Sequence, residues 1–445
     1  MIRSIDALLR ELLAFLEIRD IVQLSTTDKF LKNRIFLINQ LVPHCIEITT
    51  QNLIRRKKEN NEILWLLKTF PNIRELTVKR KQDRSGLIKK SDSFISIMNK
   101  SLKNAFESKV LQENIIGLTF VFKSDSYGAG IYRLYKLVKL DLSHSNISDA
   151  FLNDIALLRN LKSLNLTNCG ITNKGLNSVV CNLGSTLTDL NLSFCTDIIP
   201  TDYLFLPLTK LNRLSITHCG CCPDDYVIGF FIWLSKQTEL TYLEVGLTDK
   251  PLELQFQSSQ NSFSERWFYS LIRVYESIIQ SIFKLINLTH LNLSYCNIYD
   301  DDLRSISSSI VQLAYLDLSE NYEISDTGIS YLLPLAKTLC NINLHRCAKL
   351  TDDALDHLSL MCTLNVLDIS GSLISDNGLS LFASFLSISK LTSLDISNNF
   401  YVTNIGIAKI AALKNLKYLN LSNTKITKKA SKSNLSMLVN LIIQF

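Results

Sequence analysis

The apolar pattern L-x-x-L-x-[LIV] begins at Leu137 and returns at Leu161, Leu187, Leu211, Leu240, Leu288, Leu313, Leu339, Leu364, Leu391 and Leu416. All but one of the intervals fall between 24 and 29 residues. A unit of this length cannot bury its apolar side alone, so neighbouring units must stack and share one long core. Weaker copies stand at "IRELTV" (73–78) and "IIGLTF" (115–120), with a fragment at "CIEI" (45–48). The array is therefore expected to start near residue 45 and run to the end of the sequence.

Each unit reads as a short strand followed by a helix. In "LAYLDLSENYEISDTGISYLLPLAKT", Leu313, Leu316 and Leu318 point inward from a strand, and Ser325 or Asp326 supplies the cap of a helix carrying Ile329, Leu332 and Leu333. Thr351/Asp352, Ser375/Asp376 and Thr403/Asn404 repeat the capping signal. Parallel strands joined by helices give an α/β, right-handed solenoid, a horseshoe with strands on the concave side and helices on the convex side.

The same register explains an unusual cysteine cluster, "SITHCGCCPDD" at 215–225. Three residues beyond the last strand leucine lie Cys169, Cys195, Cys219, Cys296 and Cys347, where other units have Asn321, Asn399, Ser145 or Ser372. A small side chain with a weak donor can turn inward there and satisfy buried backbone carbonyls. Cys221 falls at a core position, Cys222 at a cap and His218 at an exposed site, so packing accounts for the cluster and no metal is assigned.

The cysteine-containing units "LNLSYCNIYDDDL" and "INLHRCAKLTDDAL", with the recurring [ST]-[DN]-x-[GA]-[LI], resemble the leucine-rich repeats common in F-box proteins over about residues 137–440. The segment "ALLRELLAFLEIRDIVQLSTTDKFLKN" (7–33) is similar to the F-box itself, a small helical domain that docks substrate receptors onto the adaptor Skp1 of cullin ubiquitin ligases. On that resemblance, Leu8, Leu9, Leu12, Leu13, Leu16, Ile21, Leu24, Lys29 and Leu31 contact the adaptor. The usual Leu-Pro opening is replaced by Ile5-Asp6, and Asp28 stands where the family has a small apolar or thiol side chain. The alternative is that these helices only cap the apolar end of the solenoid, in a scaffold without ubiquitin function. The expected domains are an F-box-like helical domain at 1–45, divergent repeats with a basic linker at 46–136, and regular repeats at 137–445. The last are interrupted by an insertion at about 248–282, where one interval reaches 48 residues.

A target protein is expected on the concave face. The column between the last two strand leucines is polar and follows the repeat consensus, but its neighbours carry Arg213, Tyr242, His290, Tyr315 and Tyr418 in one column and Phe194, His218, Tyr295 and Arg346 in another. Aromatic and arginine side chains are the usual anchors of protein interfaces. No P-loop, G-x-S-x-G, H-E-x-x-H or glycine-rich dinucleotide turn occurs, so neither an enzyme nor a cofactor is expected. Repeats running to Phe445 are expected to leave no room for an appended ligase domain of the kind some bacterial leucine-rich-repeat proteins carry.

Residues 55–110 hold 15 Lys and Arg against 6 Asp and Glu, which reads as a solvated face; no nucleic acid is expected as partner. Arg10 and Glu11 interrupt the first apolar run, and no stretch reaches the roughly 18 uncharged residues of a membrane span. Eleven cysteines, an odd number, fit a reducing compartment: cytoplasm or nucleus, or a host cytosol for a protein of an intracellular pathogen.

Overall fold

The computed structural model describes residues 45–49, 74–79, 106–120, 130–220, 225–246, 279–384, 390–438 and 441–445. The adaptor-contact residues expected in 1–45, Cys221, Cys222 and most of the 248–282 insertion lie outside the described residues. Contacts divide the chain into two units: 1–198 with 207–210, and 199–206 with 211–445.

The first unit holds strands β1 (Cys45–Thr49), β2 (Glu75–Lys79), β3 (Gly117–Phe120), β4 (Lys139–Asp141), β5 (Ser163–Asn165) and β6 (Asp189–Asn191). The second holds β7 (Arg213–Ser215), β8 (Tyr242–Glu244), β9 (His290–Asn292), β10 (Tyr315–Asp317), β11 (Asn341–Asn343), β12 (Val366–Asp368), β13 (Ser393–Asp395), β14 (Tyr418–Asn420) and β15 (Ile442–Gln444). Within each unit every strand pairs in parallel with the next. Register is constant: the repeat leucines align, as in Leu243, Leu291, Leu316 and Ile342. One outward column therefore runs Arg213, Tyr242, His290, Tyr315.

Helices return the chain behind the strands: α1 (Lys109–Asn114), α2 (Asp149–Ile155) and α3 (Asn173–Leu183) in the first unit. The second has α4 (Asp202–Phe205), α5 (Asp225–Leu234), α6 (Asp300–Ser309), α7 (Asp326–Tyr331), α8 (Asp352–Ser359), α9 (Asp376–Phe382), α10 (Asn404–Ile410) and α11 (Lys428–Asn434). The result is a leucine-rich-repeat solenoid architecture, with the leucines of strands and helices facing one another in the layer between. Leu313, Leu316, Leu318, Ile324, Ile329 and Leu332 are fully buried, and each contributes about 1.5–3 kcal/mol of apolar burial. Leu333 departs from the expected core. The helix stops at Tyr331, Pro334 helps turn Leu333–Leu335 into a 3-10 segment, and Leu335 fills the core while Leu333 is half-buried.

The recurring Ser/Thr-Asp pair has a second task besides capping. Ser325, Thr351, Ser375 and Thr403 each accept a hydrogen bond from the backbone N–H two residues on. The following Asp reaches the next unit: Asp352 Oδ1 accepts the Ser375 N–H at 2.7 Å and Oδ2 accepts its hydroxyl at 2.5 Å. Asp149, Asp300, Asp326 and Asp376 hold Thr172, Ser325, Thr351 and Thr403 in the same way. These carboxylates stitch neighbouring repeats together.

Candidate functional site: the strand face

Two local devices shape the open face of the strands. First, the polar column inside the leucine pattern folds back on its own backbone: Asp141, Asn165, Asn191, Asn292, Asp317, Asn343, Asp368, Asp395 and Asn420 each accept the N–H two residues later. Second, the turn that follows drives the next residue but two into the left-handed region. His144, Asn168, Phe194, His218, Tyr295, Glu320, Arg346, Asn398 and Asn423 all have φ between 53° and 62°. Asn accepts that conformation readily; bulky side chains there are uncommon. Four of the nine residues expected to bind a target, Phe194, His218, Tyr295 and Arg346, thus stand on a strained row of turns. Such strain gathers at binding sites.

Four other expected residues form one stack in the second unit. The Arg213 guanidinium lies 3.8 Å from the Tyr242 ring centre. Tyr242 stacks on His290 at 3.8 Å and 10°, and His290 stacks on Tyr315 at 3.9 Å and 7°. The constant register and a strand spacing of roughly 4.8 Å bring the planes this close. Each ring pair contributes about 0.5–1.5 kcal/mol beyond its buried area, so the stacking favours this arrangement before any partner arrives.

Glu244 anchors the stack from the neighbouring column. Its Oε1 accepts the Tyr242 hydroxyl at 2.5 Å and lies 3.4 Å from His290 Nε2. Burial pushes this carboxyl up, but hydrogen bonds from His290, Ser215 and Tyr242 outweigh burial and hold it below the usual carboxylate range. Burial, then Glu244, raises the Tyr242 hydroxyl; burial, then Asp317, raises Tyr315. Both tyrosines stay neutral donors across the physiological range.

The row of turns has its own contacts. His218, expected to be exposed, is half-buried because its ring meets Tyr295 edge-on at 6.0 Å. Between their strands Gly246, just beyond β8, packs against Ser294: a Cβ there would lie 2.5 Å from Ser294 Oγ. Arg346 Nη1 donates to Glu320 Oε1 at 2.9 Å; Glu320 is buried and also accepts from the Tyr322 hydroxyl. Phe194 stands exposed on the first unit. Tyr418 lies four strands beyond Tyr315 and donates to Gln444 Oε1 at 2.6 Å, apart from the stack.

The five aligned cysteines are buried free thiols. Cys169 Sγ donates to Leu142 O at 3.2 Å, Cys195 to Leu166 O at 3.0 Å, Cys296 to Val245 O at 3.5 Å and Cys347 to Leu318 O at 3.3 Å. Asn321 and Asn399 reach the equivalent carbonyls, Leu293 O and Ile369 O, at 2.9 and 3.0 Å. Among the described residues no three His, Cys, Asp or Glu side chains are grouped to hold a metal ion, and no helix is long and apolar enough to cross a membrane.

A family model described as Leucine Rich repeat matches residues 158–180, 284–307 and 361–383. The repeats are leucine-rich repeats. No curated protein sequence matches the chain. Among solved structures it is similar to a chain of the Rad7 and Elc1 complex of yeast, at 19% identity over 78% of this chain and 86% of that one, with a TM-score of 0.55. It is also similar to an internalin of Listeria monocytogenes (20%, 78% and 94%, 0.45) and to a leucine-rich-repeat protein of Leptospira interrogans (16%, 88% and 100%, 0.39). The architecture is that of a protein-interaction scaffold, and none of these matches brings in a catalytic family.

Sequence reasoning passed over Glu244, Glu320 and Gly246. Glu244 had a visible signal: it is the one glutamate in a column otherwise made of Asp, Asn and Ser. Its longer side chain reaches past its own turn to the stack. Glu320 occupies a turn position shared with Asn168, Asn398 and Asn423, and its partner on the next strand, Arg346, could be paired with it only through the register.

Proposed function

We propose that this chain is the substrate-recognition subunit of a Skp1-cullin-F-box-type ubiquitin ligase. In this reading the strand face of residues 211–445 holds a target protein, and residues 1–45 dock a Skp1-type adaptor through Leu8, Leu9, Leu12, Leu13, Leu16, Ile21, Leu24, Lys29 and Leu31. The protein works inside the cell, in the cytoplasm or nucleus where the adaptor and cullin reside.

The observation that carries the target-binding half is the preformed stack Arg213–Tyr242–His290–Tyr315. Rigid aromatic and arginine groups lose little entropy when a partner arrives, which is why they dominate interface energetics. The adaptor half rests on the leucine spacing of residues 8–16 and on the order of F-box-like segment before repeats. A yeast protein of similar fold was solved in a complex of two proteins, Rad7 and Elc1, in keeping with a chain that works within an assembly. A second reading makes the N-terminal helices a cap: residues 1–44 directly precede β1, and a solenoid needs the apolar edge of its terminal repeat covered.

The two readings separate in one measurement. Purified full-length protein should retain purified Skp1 on a column, and Leu12→Asp with Leu16→Asp should abolish retention while the far-ultraviolet circular dichroism stays unchanged. Failure of the unaltered protein to retain Skp1, or a loss of helical signal in the double variant without loss of Skp1, selects the cap.

A further inference from the structure

The charge of the second unit changes sign along its repeats. Residues 300–395 carry 13 Asp and Glu against 5 Lys and Arg, whereas residues 396–445 carry seven lysines, no arginine and no acidic residue at all. All seven lysines are exposed. Earlier in the unit a lysine on the same edge is neutralised by its neighbour, Lys349 Nζ lying 2.5 Å from Glu323 Oε2. None of the seven forms an ion pair with a described residue.

Three of the seven share an edge with exposed apolar side chains. Beyond the ends of β13 and β14, residues 400–405 and 424–429 run side by side: Lys425 N–H donates to Val402 O at 3.0 Å, and Thr427 N–H to Asn404 Oδ1 at 2.9 Å. Phe400, Tyr401 and Ile405 project there at 60–70% exposure, on the segment adjoining the one that carries Lys425, Lys428 and Lys429. Lys425 Nζ lies 6.0 Å from the Tyr401 ring centre, and Lys428 Nζ lies 5.4 Å from that of Phe445. The same edge of the preceding units bears Asp326, Asp352, Asp353 and Asp376. Within the second unit ammonium groups thus stand at Lys428 and Lys429 where the helix starts at Asp326, Asp352 and Asp376 carry carboxylates, and large apolar side chains share their edge where solvent would favour polar ones.

We propose that the edge formed by Phe400, Tyr401, Ile405, Lys425, Lys428 and Lys429 docks an acidic protein segment with interspersed apolar side chains. Charge complementarity selects an anionic partner. The chemistry of the cations and their neighbours selects a peptide over a nucleic acid. Lysine is a point charge without the planar fork that grips phosphate, and arginine is absent from residues 396–445. Ile405 offers an aliphatic contact that suits a leucine or phenylalanine better than a base. This docking edge is independent of the adaptor reading and of the stack on β7–β10.

The test uses the full-length protein and a fluorescent synthetic peptide of repeated Glu-Glu-Leu, read by anisotropy at physiological salt. Binding is expected, and Lys425→Glu, Lys428→Glu and Lys429→Glu together should weaken it at least tenfold. Tyr401→Ala with Ile405→Ala should weaken it about threefold, which a purely ionic surface would not show. Lys409→Glu with Lys414→Glu, on exposed positions at the opposite edge, is the control and should change it less than twofold. Equal loss from the control pair would reduce the effect to overall charge and overturn the proposal. Tighter binding of a single-stranded oligothymidine, or of phosphatidylserine vesicles, than of the peptide would overturn it in favour of those partners, and no peptide binding at all would remove the site. Circular dichroism of each variant confirms that lost binding is not lost structure.

Discussion

The buried thiol and the asparagine amide are interchangeable donors in this chain to one kind of acceptor, a strand carbonyl of the preceding repeat. Cys347 answers with one weak donor to Leu318 O, while Asn321 answers with bonds to both Leu293 O and Leu318 O. Leu318 O keeps the Asn321 amide at 2.8 Å when the thiol is removed, so Cys347→Ala should destabilise the protein by about 1 kcal/mol, the net worth of the lost thiol bond, and Cys347→Asn by less. Chemical denaturation of the two variants checks the order. Titration separates them further. Burial pushes the Cys169 and Cys347 thiols from an ordinary 9.0 up to about 12, and Cys195 up to about 11. A raised folded value means that the stability tied to these groups is complete below about pH 9 and is lost as pH rises toward 12, because the unfolded chain ionises first. The melting temperature should fall over that window, and Cys347→Asn should flatten the fall; identical slopes would refute this origin. The role of these thiols was legible in the sequence because five of them share one register position. The conformation of the turn just before them was not, since left-handed φ at Phe194, Tyr295 and Arg346 runs against the preference of those side chains.

The helix start is the element at which repeats are joined, and its motif [ST]-[DN]-x-[GA]-[LI] encodes two repeats at once. Capping by Ser375 belongs to its own helix α9, but the N–H and hydroxyl of Ser375 both end on Asp352 of the helix before. The glycine three residues after the cap follows from the same contact: a Cβ on Gly378 would lie 2.3 Å from Asp352 Oδ1. Gly378→Ala should thus destabilise although alanine is the better helix former, by roughly 1–3 kcal/mol, and Asp352→Ala should cost a similar amount by stranding Ser375. Asp352→Asn should be milder, as Asn404 already holds Thr427 in the last such pair, with Oδ1 accepting its N–H at 2.9 Å. Because the two groups touch, Gly378→Ala in the Asp352→Ala background should cost less than in the parent, a coupling that a double-mutant cycle of denaturation midpoints would read. From sequence, the acidic residue here is explained by the helix dipole alone. Its inter-repeat bonds require knowing which helices are neighbours, which a single repeat does not state.

At the scale of the molecule, a constant register turns sequence columns into surfaces, so period and fold could be read directly from the leucines. Which column residues touch could not. Arg213, Tyr242, His290 and Tyr315 belong to consecutive strands despite the 48-residue interval between Tyr242 and His290, and their planes meet because that interval returns the chain to the adjacent strand in register. Tyr418 belongs to the same column but is separated from the stack by three strands bearing Asn341, Val366 and Ser393. A target held by the stack should distinguish these tyrosines, whereas one gripped generally by the strand face should not. Photo-crosslinking in cell lysate with the full-length protein would identify a target, whose affinity can then be measured with purified components. Arg213→Ala with His290→Ala should weaken it by about 2 kcal/mol or more, roughly thirtyfold, because removing the middle ring also frees Tyr242 and Tyr315 from their fixed planes. Tyr418→Ala should change it by less than about 0.5 kcal/mol, and neither variant should alter Skp1 retention. Glu244→Gln keeps the shape beside the stack but withdraws the charge facing His290 Nε2, so a loss intermediate between the two would assign the carboxylate a positioning role. Equal losses from Tyr418→Ala and from the double variant would move the binding surface off the stack and onto the strand face as a whole.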